Sequence, residues 1–406
     1  MKVLFAVPYI YDMRYKEFTR NSTGLGIILT QIYEQVARNQ DVCLISHVLT
    51  KGHGNILRHT LGSVLRHMQW KDLVQGVKWA LSYKQGIFAR LRYFYFGINK
   101  GYIRHTVRQL QPDIVHIHSV ALRDKPYIQV CEELGVKYVI TLHGLIGLDD
   151  SVKAPKWDKD YEKEVLLDCE KRNIPVTVIS TGIKDRIEKH YLNAPSHCIT
   201  VVPNGTDVAQ KKMTPETDLR KTCHIPDNAM IAVSVGTVNE NKNQMQIVEA
   251  MPLVCQSLDK DLYVFLCGRD CTDGAVQQRI DELGLADRVF ALGYIPYDQM
   301  GAIYAQADFN ILASINEGFG LGIIEAYVYG LPSVTFADLD AVPDLYNEST
   351  MQLCTDRSTE ALANAICQTM DAEWNEDQIM EYSKNFSLEQ MAKNYQQVYE
   401  KTLRSQ

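Results

Sequence analysis

Between Ile311 and Pro332 the chain reads Ile-Leu-Ala-Ser-Ile-Asn-Glu-Gly-Phe-Gly-Leu-Gly-Ile-Ile-Glu-Ala-Tyr-Val-Tyr-Gly-Leu-Pro. That order predicts a buried strand ending at Ser314, a turn built on Gly318, Gly320 and Gly322, and a short helix stopped by Gly330 and Pro332. Glycines let backbone N–H groups come close to an anion, and the start of a helix adds a partial positive charge. Glu317 stands just before the turn, and Glu325 follows about a turn into the helix. An anion-binding loop with an acid at each end suits a ligand that carries both phosphates and hydroxyls. A nucleotide-sugar is such a ligand.

The wider context carries a resemblance. Ser-x-x-Glu-Gly-Phe-Gly, a second Glu after seven intervening residues, then Glu-Ala and Gly-x-Pro resembles the signature of the retaining glycosyltransferases of family four. Two acids and a few glycines alone fit an ordinary strand–turn–helix whose acids face water. The full pattern separates the two readings.

A chain of 406 residues has room for two domains of ~150 residues or more. Its 46% hydrophobic and 22% charged residues are ordinary for a soluble globular protein. The opening Met-Lys-Val-Leu-Phe-Ala-Val-Pro is apolar too briefly for a signal peptide or a membrane span and reads as a first strand. Ten cysteines stand singly; Cys267 and Cys271 form no Cys-x-x-Cys pair, so reduced thiols, a cytoplasmic setting and no zinc site are expected. The net charge of −7 is unevenly spread. Residues 51–104 hold ten Lys/Arg against the single acid Asp72, a local +9, which leaves −16 for the rest.

The amino-terminal half alternates strand and helix. Lys2–Tyr9 predicts a strand, Asn21–Gly26 a glycine loop with Gly24 and Gly26, Ile27–Ala37 a helix and Asp41–His47 a second strand. In 51–104 a helical period places Leu57, Leu61, Val64, Leu65 and Met68 on one face, followed by Leu73, Val77 and Leu81. Aromatics (Trp70, Trp79, Phe88, Tyr93–Phe96) interleave with the basic residues. Such a stretch suits the surface of an anionic membrane, or else packs on the sheet with a solvated basic face. Nucleic acid is disfavoured, because the remaining acidic surface would repel a phosphate backbone.

Pro112–His118 and Lys137–Leu142 predict further strands; His143 falls at a strand's carboxyl end, where α/β sheets gather ligands, while His116 and His118 read as buried strand histidines. Strands at 176–180 and 199–202 precede Pro203-Asn-Gly-Thr-Asp207, and the polar stretch 208–228 reads as a linker. Strand–helix alternation resumes from Met230 to Phe336, and an amphipathic helix spans Ser387–Leu403. Alternation of this kind implies parallel sheets covered on both faces.

The resemblance assigns roles residue by residue. It implies an α/β fold of GT-B architecture, two Rossmann-like doubly wound parallel-sheet domains facing across a cleft. The expected limits are 1–207, 208–380 and a helix at 381–406 that crosses back to the first domain. Gly24 and Gly26 would lie over the donor diphosphate and His143 beside the donor sugar. Gly236-Thr-Val-Asn-Glu-Asn-Lys242 resembles the family's Gly-Arg…Lys diphosphate clamp with Lys242 in register, but Thr237 stands where the arginine belongs. A leaving diphosphate gains charge in the transition state, so a fixed cation acts there directly. Tyr294 and Ile295 would hold the nucleobase. Glu325 would accept hydrogen bonds from ribose hydroxyls, and Glu317 would face the donor sugar. The N–H groups of Phe319, Gly320, Leu321 and Gly322 would meet sugar and phosphates.

The implied reaction moves a sugar from a nucleoside diphosphate, UDP favoured, to an acceptor hydroxyl with retention of configuration. The acceptor would be a lipid-linked or growing glycan of bacterial-type surface polysaccharide synthesis. No Asp-x-Asp follows an apolar strand, so neither metal nor cofactor is expected. The predicted location is the cytoplasm, with peripheral membrane contact through 51–104. Two rivals stand beside this reading: a nucleotide-sugar epimerase on the same fold, and a non-catalytic nucleotide-sugar-binding or scaffold subunit, for which Thr237 argues.

Overall fold

The computed structural model describes residues 1–18, 23–82, 86–149, 154–209, 218–257 and 261–404. Asn21 and Ser22 of the expected glycine loop, and 210–217 of the expected linker, lie outside the described residues.

The first strands and helices are β1 (Lys2–Val7), α1 (Gly24–Ala37), β2 (Asp41–Ser46), α2 (Leu61–His67), α3 (Trp70–Ser82) and α4 (Ile87–Leu110). They are followed by β3 (Ile114–His118), α5 (Lys125–Leu134), β4 (Lys137–Leu142), α6 (Lys156–Arg172), β5 (Val176–Val178), α7 (Thr181–Ile187) and β6 (Ile199–Val201). Then come α8 (Leu219–Thr222), β7 (Met230–Val235), α9 (Gln244–Ser257), β8 (Leu262–Cys267), α10 (Ala275–Glu282), β9 (Val289–Gly293), α11 (Met300–Tyr304) and β10 (Phe309–Leu312). The chain closes with α12 (Leu321–Val328), β11 (Ser333–Phe336), α13 (Val342–Leu345), β12 (Met351–Cys354), α14 (Thr359–Asp371), α15 (Glu376–Ser383) and α16 (Leu388–Arg404).

Two compact units result. The first comprises 1–203 together with 388–406, and the second comprises 204–387. Each holds one six-stranded sheet, ordered β2-β1-β3-β4-β5-β6 in the first and β12-β11-β10-β7-β8-β9 in the second. All strand pairs are parallel. This is the α/β, doubly wound architecture that the alternation implied. The strands are apolar along their length because both sheet faces are covered: Val3–Val7 of β1 and Ile231–Val233 of β7 are almost completely buried.

α16 belongs to the first unit. It buries Leu388, Met391, Tyr395, Val398 and Tyr399, and the Tyr399 hydroxyl meets His116 Nδ1 at 2.6 Å. In the second unit, Thr206 N–H donates to Phe386 O at 2.8 Å, which ties the Pro-Asn-Gly-Thr turn to the residues before α16.

Three expectations need correction. The glycine loop is shorter than read: Thr23 caps α1 with its hydroxyl on Gly26 N–H, so Gly24 and Gly26 form the helix's first turn. Leu57 is not helical; it sits in a loop whose backbone adds to the edge of β2 through Leu57 N–H to Leu44 O at 2.8 Å. The apolar face expected for 57–81 is buried only in part: Val64 is in the core, and Leu57, Met68 and Leu73 are half-buried. Leu61, Leu65, Val77 and Leu81 are exposed, while α3 buries Asp72, Gly76 and Trp79. Glycines decide this. A Cβ on Gly97 would lie 2.5 Å from Gly76 Cα, so α3 and α4 touch backbone to backbone along the face that carries Gly76.

Candidate functional site

In the second unit β7 continues to β8 on one side while β10 pairs on its other side. The chain therefore leaves β7 and β10 in opposite directions, and their carboxyl ends flank a crevice, the switch point where α/β sheets bind ligands. Gly236, with φ of 143°, turns the chain off β7; a Cβ on it would lie 3.4 Å from Lys242 Cε. A Cβ on the facing Gly268 would lie 1.9 Å from Gly236 O. Bare backbone at both positions lets the strands close up and lets the lysine stem lie across their ends.

Asn241 then fastens the two strand exits together. Its carbonyl accepts from Ile315 N–H at 2.7 Å, its Oδ1 accepts from Asn316 N–H at 3.1 Å, and its Nδ2 donates to Asn316 O at 3.0 Å. Arg357 braces the same segment from the other side, donating to Ser314 O at 2.6 Å and Ile315 O at 3.0 Å while lying over the Phe336 ring. Held this way, Glu317 Oε2 forms an ion pair with Lys242 Nζ and accepts from Ser314 Oγ at 3.1 Å. Two residues named as the clamp cation and the sugar-facing acid thus meet directly. Asn241 and Arg357 were missed by sequence reasoning, since asparagine and arginine carry no periodic signal.

The glycine turn is corrected in detail. Gly320 alone has positive φ (80°), and α12 starts at Leu321, which puts Gly322 inside its first turn. Phe319 is buried, its ring edge-on to Phe386, and anchors the turn. Among the described residues no side chain caps α12. Its first N–H groups, those of Leu321 and Gly322 included, lack helical acceptors and are the donors an anion would take.

Glu325 Oε2 accepts from the Tyr304 hydroxyl at 3.2 Å. Burial pushes the Glu325 carboxyl up to about 7, against the opposing pull of the Tyr304 hydrogen bond and the Lys242 charge. Burial also raises the Tyr304 phenol well above its usual range, which keeps that hydroxyl a donor. Tyr304 was not foreseen as a site residue, although a helix over 298–306 was.

Of the two residues read as base contacts, Tyr294 is 53% exposed, whereas Ile295 packs against the buried cluster of Tyr304 and Tyr329. Thr237 is exposed, and its carbonyl accepts from Gln244 Nε2 at 3.3 Å. The Val235–Cys267 ladder pair and the Val238–Asp270 bridge put Arg269 in register with Thr237. Arg269 has no ion pair among the described residues.

In the first unit His143 follows the last residue of β4. Its Nε2 lies 3.1 Å from His118 Nδ1, and the His118 ring lies tilted against His116 with centroids 3.8 Å apart. His116 is held by Thr141 Oγ1 and the Tyr399 hydroxyl, each at 2.6 Å. Burial drives His143 down to about 4 and His118 well below its usual range, so both rings are neutral near pH 7. A neutral pair shares one proton between the facing nitrogens. That leaves His143 Nδ1, buried and without a partner among the described residues, as a donor or acceptor for a ligand. His116 and His118 are both the buried strand histidines that were expected, and His118 in addition orients His143. Ser119, next in the chain, has φ of 123°, a strained value for a residue with a side chain, at the end of β3.

Two family profiles match the chain: Glycosyltransferase Family 4 over residues 65–210 and Glycosyl transferases group 1 over 216–386. The chain belongs to glycosyltransferase family 4. Among curated relatives, this glycosyltransferase is 25% identical over 261 residues to the putative teichuronic acid biosynthesis glycosyltransferase TuaC of Bacillus subtilis, covering 64% of the chain and 61% of TuaC. It is 25% identical over 369 residues to the D-inositol 3-phosphate glycosyltransferase of Corynebacterium glutamicum, covering 87% of the chain and 84% of that protein. The chain thus spans less than two thirds of TuaC and most of the second relative. In fold it is similar to Anabaena HepE, solved with UDP (TM-score 0.68, 15% identity, 99% and 100% of the two chains covered) and with UDP-glucose.

Proposed function

We propose that this glycosyltransferase moves a sugar from a nucleoside-diphosphate sugar, a UDP-sugar by preference, to an acceptor hydroxyl with retention of configuration. One observation carries the reading: at the switch point of the second sheet, Lys242 and Glu317 meet beside the uncapped start of α12. Without ligand the ammonium is neutralised by Glu317. A diphosphate drawn to Lys242 and the α12 N–H groups releases that carboxylate to accept hydrogen bonds from sugar hydroxyls, so one exchange of partners seats both halves of the donor. As the bond to the sugar breaks, charge grows on the leaving diphosphate, where Lys242 and the backbone dipoles already stand.

Glu325, held by Tyr304, accepts from the ribose hydroxyls. Arg269 offers the second cation that Thr237 does not. His143 Nδ1 is the ligand contact that the first unit offers. The leaving phosphate deprotonates the acceptor on the same face, with no protein nucleophile, metal or cofactor. TuaC's name and the nucleotides bound to HepE support a surface-glycan acceptor and uridine respectively.

The test is ligand-induced thermal stabilisation. UDP and one UDP-sugar should raise the melting temperature of the wild type in the presence of chelator, and Lys242→Ala should lose the response. A wild type indifferent to every nucleoside-diphosphate sugar would refute the donor reading. Turnover that chelator abolishes would refute metal independence.

A further inference from the structure

α3 is inverted relative to an ordinary surface helix. Its one acid, Asp72, is 1% exposed: it accepts from Arg104 Nη2 at 2.9 Å and Nη1 at 3.1 Å and from Gln69 N–H at 2.9 Å. Gly76 lies against Gly97, and a Cβ on Gly101 would lie 2.5 Å from His67 O, so the close packing leaves α3 no freedom to roll. The opposite face is forced outward. Trp70 (77% exposed), Val74, Val77 and Leu81 (67%) stand there, within about 60° of one another at the helical 100° per residue. The start of α4 adds Ile87, Phe88 (83%) and Leu91. A helix face in water normally carries charge, and a row of large exposed hydrophobic side chains marks a contact.

We propose that this face of α3 and the start of α4 is a docking surface for an anionic membrane. The charges around the patch select that occupant. Lys71 and Lys78 flank the stripe on α3, and Arg90 and Arg92 are exposed on α4. Lys71 is engaged by Glu133 at 2.9 Å, but Lys78, Arg90 and Arg92 have no ion pair among the described residues. With Asp72 withdrawn inside, no acid of either helix interrupts the basic flank. An apolar strip edged with cations, and with an indole and a phenyl ring outermost, matches the boundary between anionic headgroups and acyl chains. At 13 residues α3 is too short to span and would lie in the plane of the interface. The surface is narrower than 51–104, because Tyr93, Ile98, Tyr102 and Ile103 of α4 are core residues. It rests on the proposed function only for its purpose, which is to hold the enzyme where a lipid-linked acceptor lies.

The experiment is co-sedimentation of the full chain with vesicles of phosphatidylcholine, alone or mixed with phosphatidylglycerol. The wild type should sediment with the mixed vesicles, hardly with phosphatidylcholine alone, and less as salt rises. The Leu81→Ser/Phe88→Ser variant should lose about tenfold or more in vesicle affinity. Lys78→Gln/Arg90→Gln/Arg92→Gln should lose the preference for phosphatidylglycerol. Both should keep the wild-type melting temperature and its response to UDP. A wild type that stays in the supernatant, or a serine variant that sediments like it, overturns the proposal. So does a vesicle-free dimer that the serine variant dissociates, since the face would then join two proteins. Loss of the UDP response in the wild type would count against the donor reading alone.

Discussion

α16 and α3 are both amphipathic helices of the first unit, and they use their apolar stripes in opposite ways. α16 lays Leu388, Met391, Tyr395 and Val398 into the core. α3 turns Trp70, Val74, Val77 and Leu81 to the outside. Their sequences differ in one telling respect. The polar side of α16 is built of Glu, Gln, Lys and Asn at ordinary exposed positions, whereas the other side of α3 carries Gly76 and Asp72, which α4 takes up through Gly97 and Arg104. The Asp72–Arg104 pair, the glycine-on-glycine contact and buried Trp79 fix the side of α3 that faces inward, and the four hydrophobes are left outside. Periodicity announces that a helix has an apolar face. It does not say what the face will meet.

The sharpest way to break that comparison is to truncate one residue from each stripe. Met391→Ala should destabilise the protein by about 2–5 kcal/mol, the range for emptying a buried methionine site. Leu81→Ala should stay within about 0.5 kcal/mol, as exposed positions do. Denaturant titration of both variants checks the pair; equal losses would mean that α3's stripe is covered in solution.

A smaller effect separates the crevice of the second unit from both helices, because its groups are there for a ligand and not for the core. Lys242→Ala should lower turnover about 10²–10³-fold, the scale for removing one preorganised electrostatic partner of a developing charge. Its melting temperature should hardly change, since the ion pair with Glu317 is partly exposed and such pairs contribute little to stability. A large fall in melting temperature with turnover retained would recast the pair as structural.

The smallest effect is a pH dependence. Glu325 titrates near 7 in the free protein, and hydrogen bonds from ribose hydroxyls favour its ionised form. Nucleotide binding should therefore expel a proton, tighten as pH rises through the range below about 7, and level off above it. Glu325→Gln should flatten the profile, and Tyr304→Phe should shift it to higher pH by removing the hydrogen bond that favours the carboxylate. Calorimetry in buffers of different ionisation heat would register the released proton, and a profile that weakens with rising pH would contradict the assignment.

Much was legible in the chain alone. The strand–helix alternation required parallel sheets, because a strand followed by a crossover helix returns parallel to its predecessor. The Ile311–Pro332 pattern located the strand, turn and helix that border the crevice to within two residues. β4, β9 and β11 fall at the expected positions, since buried parallel strands are short continuous apolar runs that turns punctuate. β12 was not foreseen; Met-Gln-Leu-Cys is too brief to stand out.

What remained hidden was contact between residues distant in sequence. Nothing local to Asn241 tells that it will grip Asn316, nor does His118 announce that it will hold His143, or Tyr304 that it will hold Glu325. The direction in which α3 faces was hidden for the same reason: it depends on glycines of α4, more than twenty residues downstream. Local pattern determines which elements form, because hydrogen bonding and apolar period act within a few residues. Which side chains end up paired, strained or left facing outward is decided only when those elements pack, since burial is a property of neighbours that the chain brings from afar.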